Sequence, residues 1–413
     1  MLGRGATASV YLAEDPFTNV EVAIKIAHQS VMDDPETGYR FKKMFMNEAS
    51  LAGKLRHPHI VSVYDAGVEH DMHYIVMEYV AGSTLKEFCK PEKLLPTDDV
   101  IEIIFKCCNA LEHAHLFGLI HRDIKPGNIL TTGGTDVKIS DFGTALLTNS
   151  ELTQVMDAVG TPSYMSPEQL SNQTLSQQTD IYSLGVVMYQ LLSGKLPFKA
   201  SNQYELIQKI THQPPAPLES VRSGLPDGVV DIVNRCLNKD LDKRYNSWMD
   251  VAHDLSAAHE QLNISSAVEV SDSRKFNILK TLSFFKEFTD VELWEMLRIS
   301  KWRYFKAART LLEEGKIGGS IFILASGDAR IMKNDAFLGV IETGQCFGEM
   351  AYIYGMKKPR TASVVSNSQV TVIKIKSEAL QRASIELQTK FNKELLRTLA
   401  ERLEKTSVMA SSI

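Results

Sequence analysis

His121-Arg122-Asp123-Ile124-Lys125-Pro126-Gly127-Asn128, followed after a short gap by Asp141-Phe142-Gly143, decides the fold of this 413-residue chain. A chance His-Arg-Asp triplet carries no information. The full string, ending in Asn and followed by Asp-Phe-Gly, sets acids, an amide and a lysine in a fixed order. Asp123 can accept the proton of a hydroxyl group. Lys125, two residues on, sets a cation close to that carboxylate. Asn128 and Asp141 supply the hard oxygen ligands that Mg²⁺ requires.

The string resembles the catalytic loop and metal-binding motif of protein kinases. That resemblance implies four further elements in a fixed order, and the chain has each. Gly3-Arg4-Gly5-Ala6-Thr7-Ala8-Ser9-Val10 resembles the glycine-rich loop, where backbone N–H groups approach phosphates without Cβ interference; Ala8 stands at the third glycine of the pattern. The resemblance gives ATP contacts to Leu2, Gly3, Arg4, Gly5, Ala6 and Val10. Only Met1 and Leu2 precede this loop, where the family has several residues of strand, so either the small lobe begins short or the natural start lies upstream. Val22-Ala23-Ile24-Lys25 alternates as a strand. By resemblance Lys25 meets the α- and β-phosphates, and Ala23 with Val10 covers the adenine. From Arg40 to Arg56, Phe41, Met44, Phe45, Ala49, Leu51, Ala52 and Leu55 recur at roughly helical spacing. Glu48 on that stretch resembles the helix glutamate that pairs with the strand lysine; Glu36, the other acid nearby, precedes the helix breaker Gly38. Tyr74 to Gly82 resembles the last small-lobe strand running into the hinge. Met77 is then the gatekeeper, backbone groups of Glu78 and Val80 bind adenine, and Leu130 forms the adenine floor.

Gly160-Thr161-Pro162-Ser163-Tyr164-Met165-Ser166-Pro167-Glu168 resembles the end of an activation segment, with Ser-Pro-Glu for the commoner Ala-Pro-Glu. Lys125 and Thr161 together match the serine/threonine branch of the family. Arg122 resembles the arginine that reads a phosphate in that segment, and Thr148, Ser150, Thr153 and Thr161 are its candidate hydroxyls. A phosphate there brings close to two negative charges and orders a loop by pairing with arginine. Asp180 and Arg244 complete the large-lobe pattern as scaffold, Asp180 steadying the catalytic loop and Arg244 pairing with Glu168.

The C-terminal third reads differently. Phe347-Gly348-Glu349-Met350-Ala351, then Pro359-Arg360-Thr361-Ala362-Ser363, resembles the phosphate-binding cassette of cyclic-nucleotide-binding domains. A cyclic phosphodiester suits these residues: glycine lets N–H groups close on the ligand, Glu349 accepts from the ribose 2′-hydroxyl, and Arg360 pairs with the single phosphate charge. Thr361 resembles the residue that meets guanine in cyclic-GMP-type sites, although cyclic-AMP receptors also carry Ser or Thr there. Upstream, Gly315, Gly318, Gly319, Gly327, Gly339 and Gly344 punctuate short apolar runs such as Ile321-Phe322-Ile323-Leu324, the rhythm of a β-roll with tight turns. Downstream, Gln381 to Lys405 is amphipathic, with Leu387, Phe391, Leu395, Leu396, Leu399 and Leu403 apolar.

Composition narrows the field. The length suits two or three domains of about 100–200 residues each, and 44% apolar content is enough for ordinary cores. No apolar run approaches about 20 residues, so no membrane span is expected, and no secretion signal opens the chain. The five cysteines show no metal-ligand spacing and read as reduced thiols. A net charge of −5 argues against a nucleic-acid platform; residues 276–413 carry 21 Lys or Arg against 15 Asp or Glu, a balance of +6, so the remainder carries −11.

The expected architecture is α+β: a bilobal protein kinase fold over 1–262 (small lobe 1–79, large lobe 80–262), a linker over 263–275, a β-roll cyclic-nucleotide-binding domain with flanking helices over 276–405, and a tail over 406–413. The linker holds no basic-basic-x-Ser/Ala pseudosubstrate, so regulation is expected through domain docking. The expected activity is ATP- and Mg²⁺-dependent phosphorylation of protein Ser/Thr in the cytoplasm, regulated by cyclic AMP or cyclic GMP, with a homodimer among the expected states. The kinase half resembles the bacterial serine/threonine group. Two other readings stand beside it: a pseudokinase scaffold with a nucleotide sensor, and an active kinase whose second domain binds nothing.

Overall fold

A computed structural model describes residues 1–53, 55–142, 162–262, 271–354 and 359–411. The chain divides into two compact units, Met1–Glu269 and Val270–Ile413.

The first unit opens with an antiparallel sheet ordered β1-β2-β3-β5-β4, built from Gly3–Arg4, Ala8–Glu14, Glu21–Ala27, Met72–Glu78 and Val63–Glu69 respectively. The register pairs Val10 with Lys25 and Lys25 with Ile75, while Ala23 faces Met77. Ala23 and Lys25 lie two residues apart on β3 and so share one face of the sheet. The helix Gly38–Ala52 covers this sheet because Phe41 and Phe45, four residues apart, form one apolar stripe. They pack with Ala8, Ala27, Met32 and Ile75 into a closed core, against which Met77 is half-buried.

The rest of the first unit is helical, with a small sheet at its upper edge ordered β6-β7-β8 (Ser83–Thr84, Ile129–Gly133, Asp136–Ile139). The helix Thr97–Leu116 is buried along most of its length and packs against Trp248–Leu262. Across that contact His259 Nδ1 lies 3.0 Å from Glu102 Oε1, with both side chains buried. Burial works against the imidazolium, but the Glu102 hydrogen bond and the charges of Glu102, Asp98 and Asp99 outweigh it and raise the pKa above 6.5. The charged pair therefore stabilises fully below pH 6.5, and its contribution is lost as the pH rises through the higher folded value. Between about pH 6 and 8 the first unit's thermal midpoint should fall more steeply in the wild type than in His259→Gln. Parallel slopes in a pH series of melts would refute this.

The second unit is built from two four-stranded antiparallel sheets, ordered β10-β15-β12-β13 and β14-β11-β16-β9. Their strands are β9 Ser300–Phe305, β10 Thr310–Leu312, β11 Ser320–Ser326, β12 Ala329–Lys333, β13 Ala336–Ile341, β14 Cys346–Phe347, β15 Ser363–Ser366 and β16 Val370–Lys376. Both sheets contribute to one core containing Phe322, Leu324, Ala329, Ile341, Phe347, Val364, Val370 and Val372. The helices Asp272–Thr281 and Asp290–Ile299 precede the roll, and Ile385–Ser411 follows it.

Two boundaries differ from the sequence expectation. Residues 272–275, assigned to the linker, are the first turn of a helix, because Ser271 accepts from the Arg274 N–H and caps it. Residues 406–411, assigned to a tail, continue the 27-residue terminal helix, since no Gly or Pro interrupts that stretch.

All five cysteines are free and buried. Burial pushes the thiols of Cys89, Cys107, Cys236 and Cys346 up to about 12, and that of Cys108 well above its usual value. Among the described residues, no helix is long and apolar enough to cross a membrane.

Candidate functional site

The His121–Asn128 loop is held from below. Arg122 (φ 68°) and Asp141 (φ 67°) are both left-handed, a conformation that costs a non-glycine residue about 1–2 kcal/mol. The buried Asp180 carboxylate offsets that strain by accepting the main-chain N–H groups of His121 at 2.7 Å and Arg122 at 2.8 Å. Burial raises the Asp180 carboxyl pKa, and its contacts with His121 and Arg122 oppose the rise. Gln169 donates to the Arg122 carbonyl at 2.9 Å. His121 Nε2 lies 2.9 Å from the Ser140 carbonyl oxygen, and its ring sits 4.6 Å from that of Phe142. The two motifs, apart in sequence, thus form one unit.

On this platform the polar groups converge. Lys125 Nζ donates to Asp123 Oδ2 at 2.7 Å, and Asn128 Nδ2 donates to the same oxygen at 3.0 Å and to the Asp123 carbonyl at 2.9 Å. With its amide nitrogen committed, Asn128 keeps its side-chain oxygen as the remaining acceptor. Lys25 from β3 forms an ion pair with Asp141. Glu48 lies on the helix Gly38–Ala52, but its side chain is outside the described residues.

Among the described residues, no three His, Cys, Asp or Glu side chains gather as a metal cage. The oxygen donors Asn128 and Asp141 suit Mg²⁺ instead, which binds through one or two protein ligands together with waters and substrate phosphates.

Around the nucleotide side, Ala23 is buried, Val10, Met77, Val80 and Leu130 are half-buried, and Leu2, Gly3, Arg4, Gly5 and Ala6 are exposed. The Glu78 N–H donates to the Ser62 carbonyl at 2.8 Å, so its main-chain contribution to adenine narrows to the carbonyl. Its carboxylate is anchored by Lys138 at 2.9 Å. His28 is a residue that sequence reasoning missed: its ring nitrogens lie 2.9 Å from Ser9 Oγ and 3.2 Å from the Ala6 carbonyl oxygen, tying down the glycine-rich loop. Thr148, Ser150, Thr153 and Thr161 lie outside the described residues.

In the second unit Arg360 is buried, its Nη1 donating to the Gly348 carbonyl at 2.7 Å and its Nη2 to that of Ser320 at 2.9 Å. Gly348 has φ 77°, and a Cβ there would stand 2.9 Å from Arg360 Nη1, so only glycine fits. Glu349 is also buried, and its carboxylate is paired at 2.9 Å with Arg402 from the terminal helix. Arg402 also donates to the Cys346 carbonyl. In the sequence it is one of many charges on an amphipathic stretch, and nothing singles it out. Phe347 is a buried core residue stacked 5.3 Å from Phe322. Met350 and Ala362 are half-buried and Thr361 is exposed. Ala351 lies on the short helix Met350–Ile353, its side chain outside the described residues.

Residues 1–256 match the family model described as Protein kinase domain, and residues 302–384 match that described as Cyclic nucleotide-binding domain. The chain is 36% identical over 261 residues to serine/threonine-protein kinase PrkC of Bacillus subtilis, covering 63% of this chain and 40% of that protein. It is 35% identical over 256 residues to a probable serine/threonine-protein kinase of Clostridium acetobutylicum, covering 62% and 38%. With serine/threonine-protein kinase PknB of Mycobacterium tuberculosis it shares 32% over 288 residues, covering 68% and 45%. The chain thus spans less than half the length of these curated relatives.

Proposed function

Because this chain belongs to the protein kinase family, we propose that it transfers the γ-phosphoryl group of Mg·ATP to protein Ser or Thr hydroxyls, under the control of a cyclic nucleotide held by its C-terminal domain. The observation that carries the reading is the convergence of Lys125 and Asn128 on one oxygen of Asp123. Asp123 would take the hydroxyl proton, and Lys125 would offset charge on the transferring group. Lys25 would meet the α- and β-phosphates. Asn128 and Asp141 would hold Mg²⁺, which neutralises phosphate charge when bound. Arg122 would read a phosphate on the activation segment. The intact set of Lys25, Asp123, Asn128 and Asp141 speaks against a scaffold without activity.

The sensor half rests on Arg360, Gly348 and Glu349. Arg360 and Glu349 would bind the phosphate and ribose of cyclic AMP or cyclic GMP, and the ligand shifts activity only by its differential affinity for two states of the chain. Free, buried thiols suit a reducing compartment, and we place the reaction in the cytoplasm.

The test is ATP-dependent phosphorylation of the full chain and of a generic basic protein, without addition, with cyclic AMP and with cyclic GMP. Phosphoserine or phosphothreonine formation that responds to one nucleotide supports the whole reading; no transfer under any condition sinks it. Light scattering on the same preparation reads the expected homodimer. In calorimetry, Arg360→Ala should weaken nucleotide binding about 10–100-fold, the worth of a hydrogen bond to a charged group. Unchanged heats would remove Arg360 from the site.

A further inference from the structure

The second unit's roll carries a group of cations without matching acids. In β16, Lys374 falls two residues from Val372 and four from Val370, and so lies on the face that builds the core. Its register partners are Phe322 on β11 and Lys301 on β9. Like charges directly opposite in a sheet destabilise it, so the fold keeps Lys374 facing Lys301 at a cost. Arg303, opposite Val372, and Lys376, two residues beyond Lys374, extend the same face. Lys374 Nζ and Arg360 Cζ each lie 5.9 Å from the Phe322 ring centroid. Burial lowers the Lys374 ammonium pKa, and Arg303, Lys376, Lys301 and Arg360 lower it further. Among the described residues Lys374, Lys301, Arg303 and Lys376 make no ion pair.

Lys374 and Arg360 both open onto a cavity of about 430 Å³, walled by residues 310–313 and 316–320 with Phe322. Gly318 keeps the wall thin beside the guanidinium: a Cβ there would stand 3.1 Å from Arg360 Nη2. The acid on this wall, Glu313, is paired with Lys316 at 2.6 Å. Glu349 and Thr361 do not line the cavity, whose cassette contribution is Arg360. A cyclic phosphodiester carries a single negative charge, which Arg360 matches. The charge of Lys374, reinforced by three neighbouring cations, is then left without a partner.

We infer that this cavity is a second anion site, which shares Arg360 with the cassette but is not lined by Glu349 or Thr361, and that it takes a small phosphorylated ligand carrying two or more negative charges. Paired phosphate groups would bridge Lys374 and Arg360, with the Ser320 and Thr310 region closing around them. Binding relieves the repulsion at Lys374 and Lys301, so occupancy also stiffens the β9–β16 edge.

Inorganic pyrophosphate, titrated into the full chain without Mg²⁺, tests the inference. By calorimetry Lys374→Met should weaken binding at least about 10-fold, and Lys374→Arg should stay within about 3-fold. Equal binding by wild type and Lys374→Met, or no binding at all, overturns the site. Amine acylation of the wild-type chain, read by peptide mass spectrometry, decides the matter even if Lys374→Met folds poorly. Saturating pyrophosphate should protect Lys374, and unaltered labelling of that residue counts against the site. Cyclic AMP and cyclic GMP run in parallel separate the two readings, since their failure to bind removes the cassette function and leaves the pyrophosphate result standing.

Discussion

Asp123→Asn should lower phosphotransfer about 10²–10⁴-fold, the range removed with a positioned general base. Asparagine keeps the size of the side chain but loses its charge and its ability to take a proton. Its amide oxygen can still accept from Lys125 and Asn128 where Asp123 Oδ2 does now, while its NH₂ group replaces the second carboxylate oxygen. Affinity for Mg·ATP should stay within a few-fold, because the phosphate and metal contacts proposed for Lys25, Asn128 and Asp141 are elsewhere. Initial rates of substrate phosphorylation, paired with binding of a non-hydrolysable ATP analogue, separate the two effects. A rate loss below about tenfold would remove Asp123 from the role of base.

The largest loss of stability should come from Arg244→Ala, about 3–5 kcal/mol, the cost of stranding a buried charge. Arg244 and Glu168 have side-chain exposures of 0% and 3%, and they meet through contacts of 2.7 and 3.2 Å. Arg244 also donates to the carbonyls of Asn238 at 2.9 Å and Gln178 at 2.8 Å, and Thr179 Oγ1 donates to Glu168 at 3.2 Å. Removing the guanidinium leaves the Glu168 carboxylate in a dry site with a single hydroxyl. The double variant Arg244→Met with Glu168→Gln should recover part of the loss, since no charge is then stranded. Urea unfolding of the wild type and the two variants measures the loss and the recovery. A loss below about 1 kcal/mol for Arg244→Ala would mean that water reaches the site. The damage should also reach the reactive loop, because Gln169, next to Glu168, donates to the Arg122 carbonyl.

Where short motifs carry the framework of the loop, the supporting contacts were readable from the sequence. The roles of Asp180 and Arg244 as supports follow from their places in a recognisable pattern, and their contacts are the expected ones. The short apolar runs such as Ile321–Leu324, punctuated by glycines, pointed to a β-roll, and two four-stranded sheets form there. What stayed hidden depends on folding at a distance. His28 reaches the glycine-rich loop across 22 residues, and no local pattern links them. Arg402 meets Glu349 across 53 residues. Lys374 gives no local signal either, because only the pairing of β16 with β11 sets it opposite Phe322. The linker and tail were placed too generously because helix continuation depends on one cap at Ser271 in the first case and on the absence of any breaker in the second.

The buried cysteines turn the chain into its own clock. A thiol whose pKa stands near 12 hardly reacts with disulfide reagents while the fold is closed, so modification waits for opening. Cys346 belongs to Val270–Ile413, whereas Cys89, Cys107, Cys108 and Cys236 belong to Met1–Glu269. Timed exchange, resolved by peptide, therefore gives separate opening rates for the two units of one intact polypeptide, without a label or a truncation. A ligand that slows only the Cys346 trace acts on the second unit alone; one that slows both reveals the free energy by which the units speak to each other.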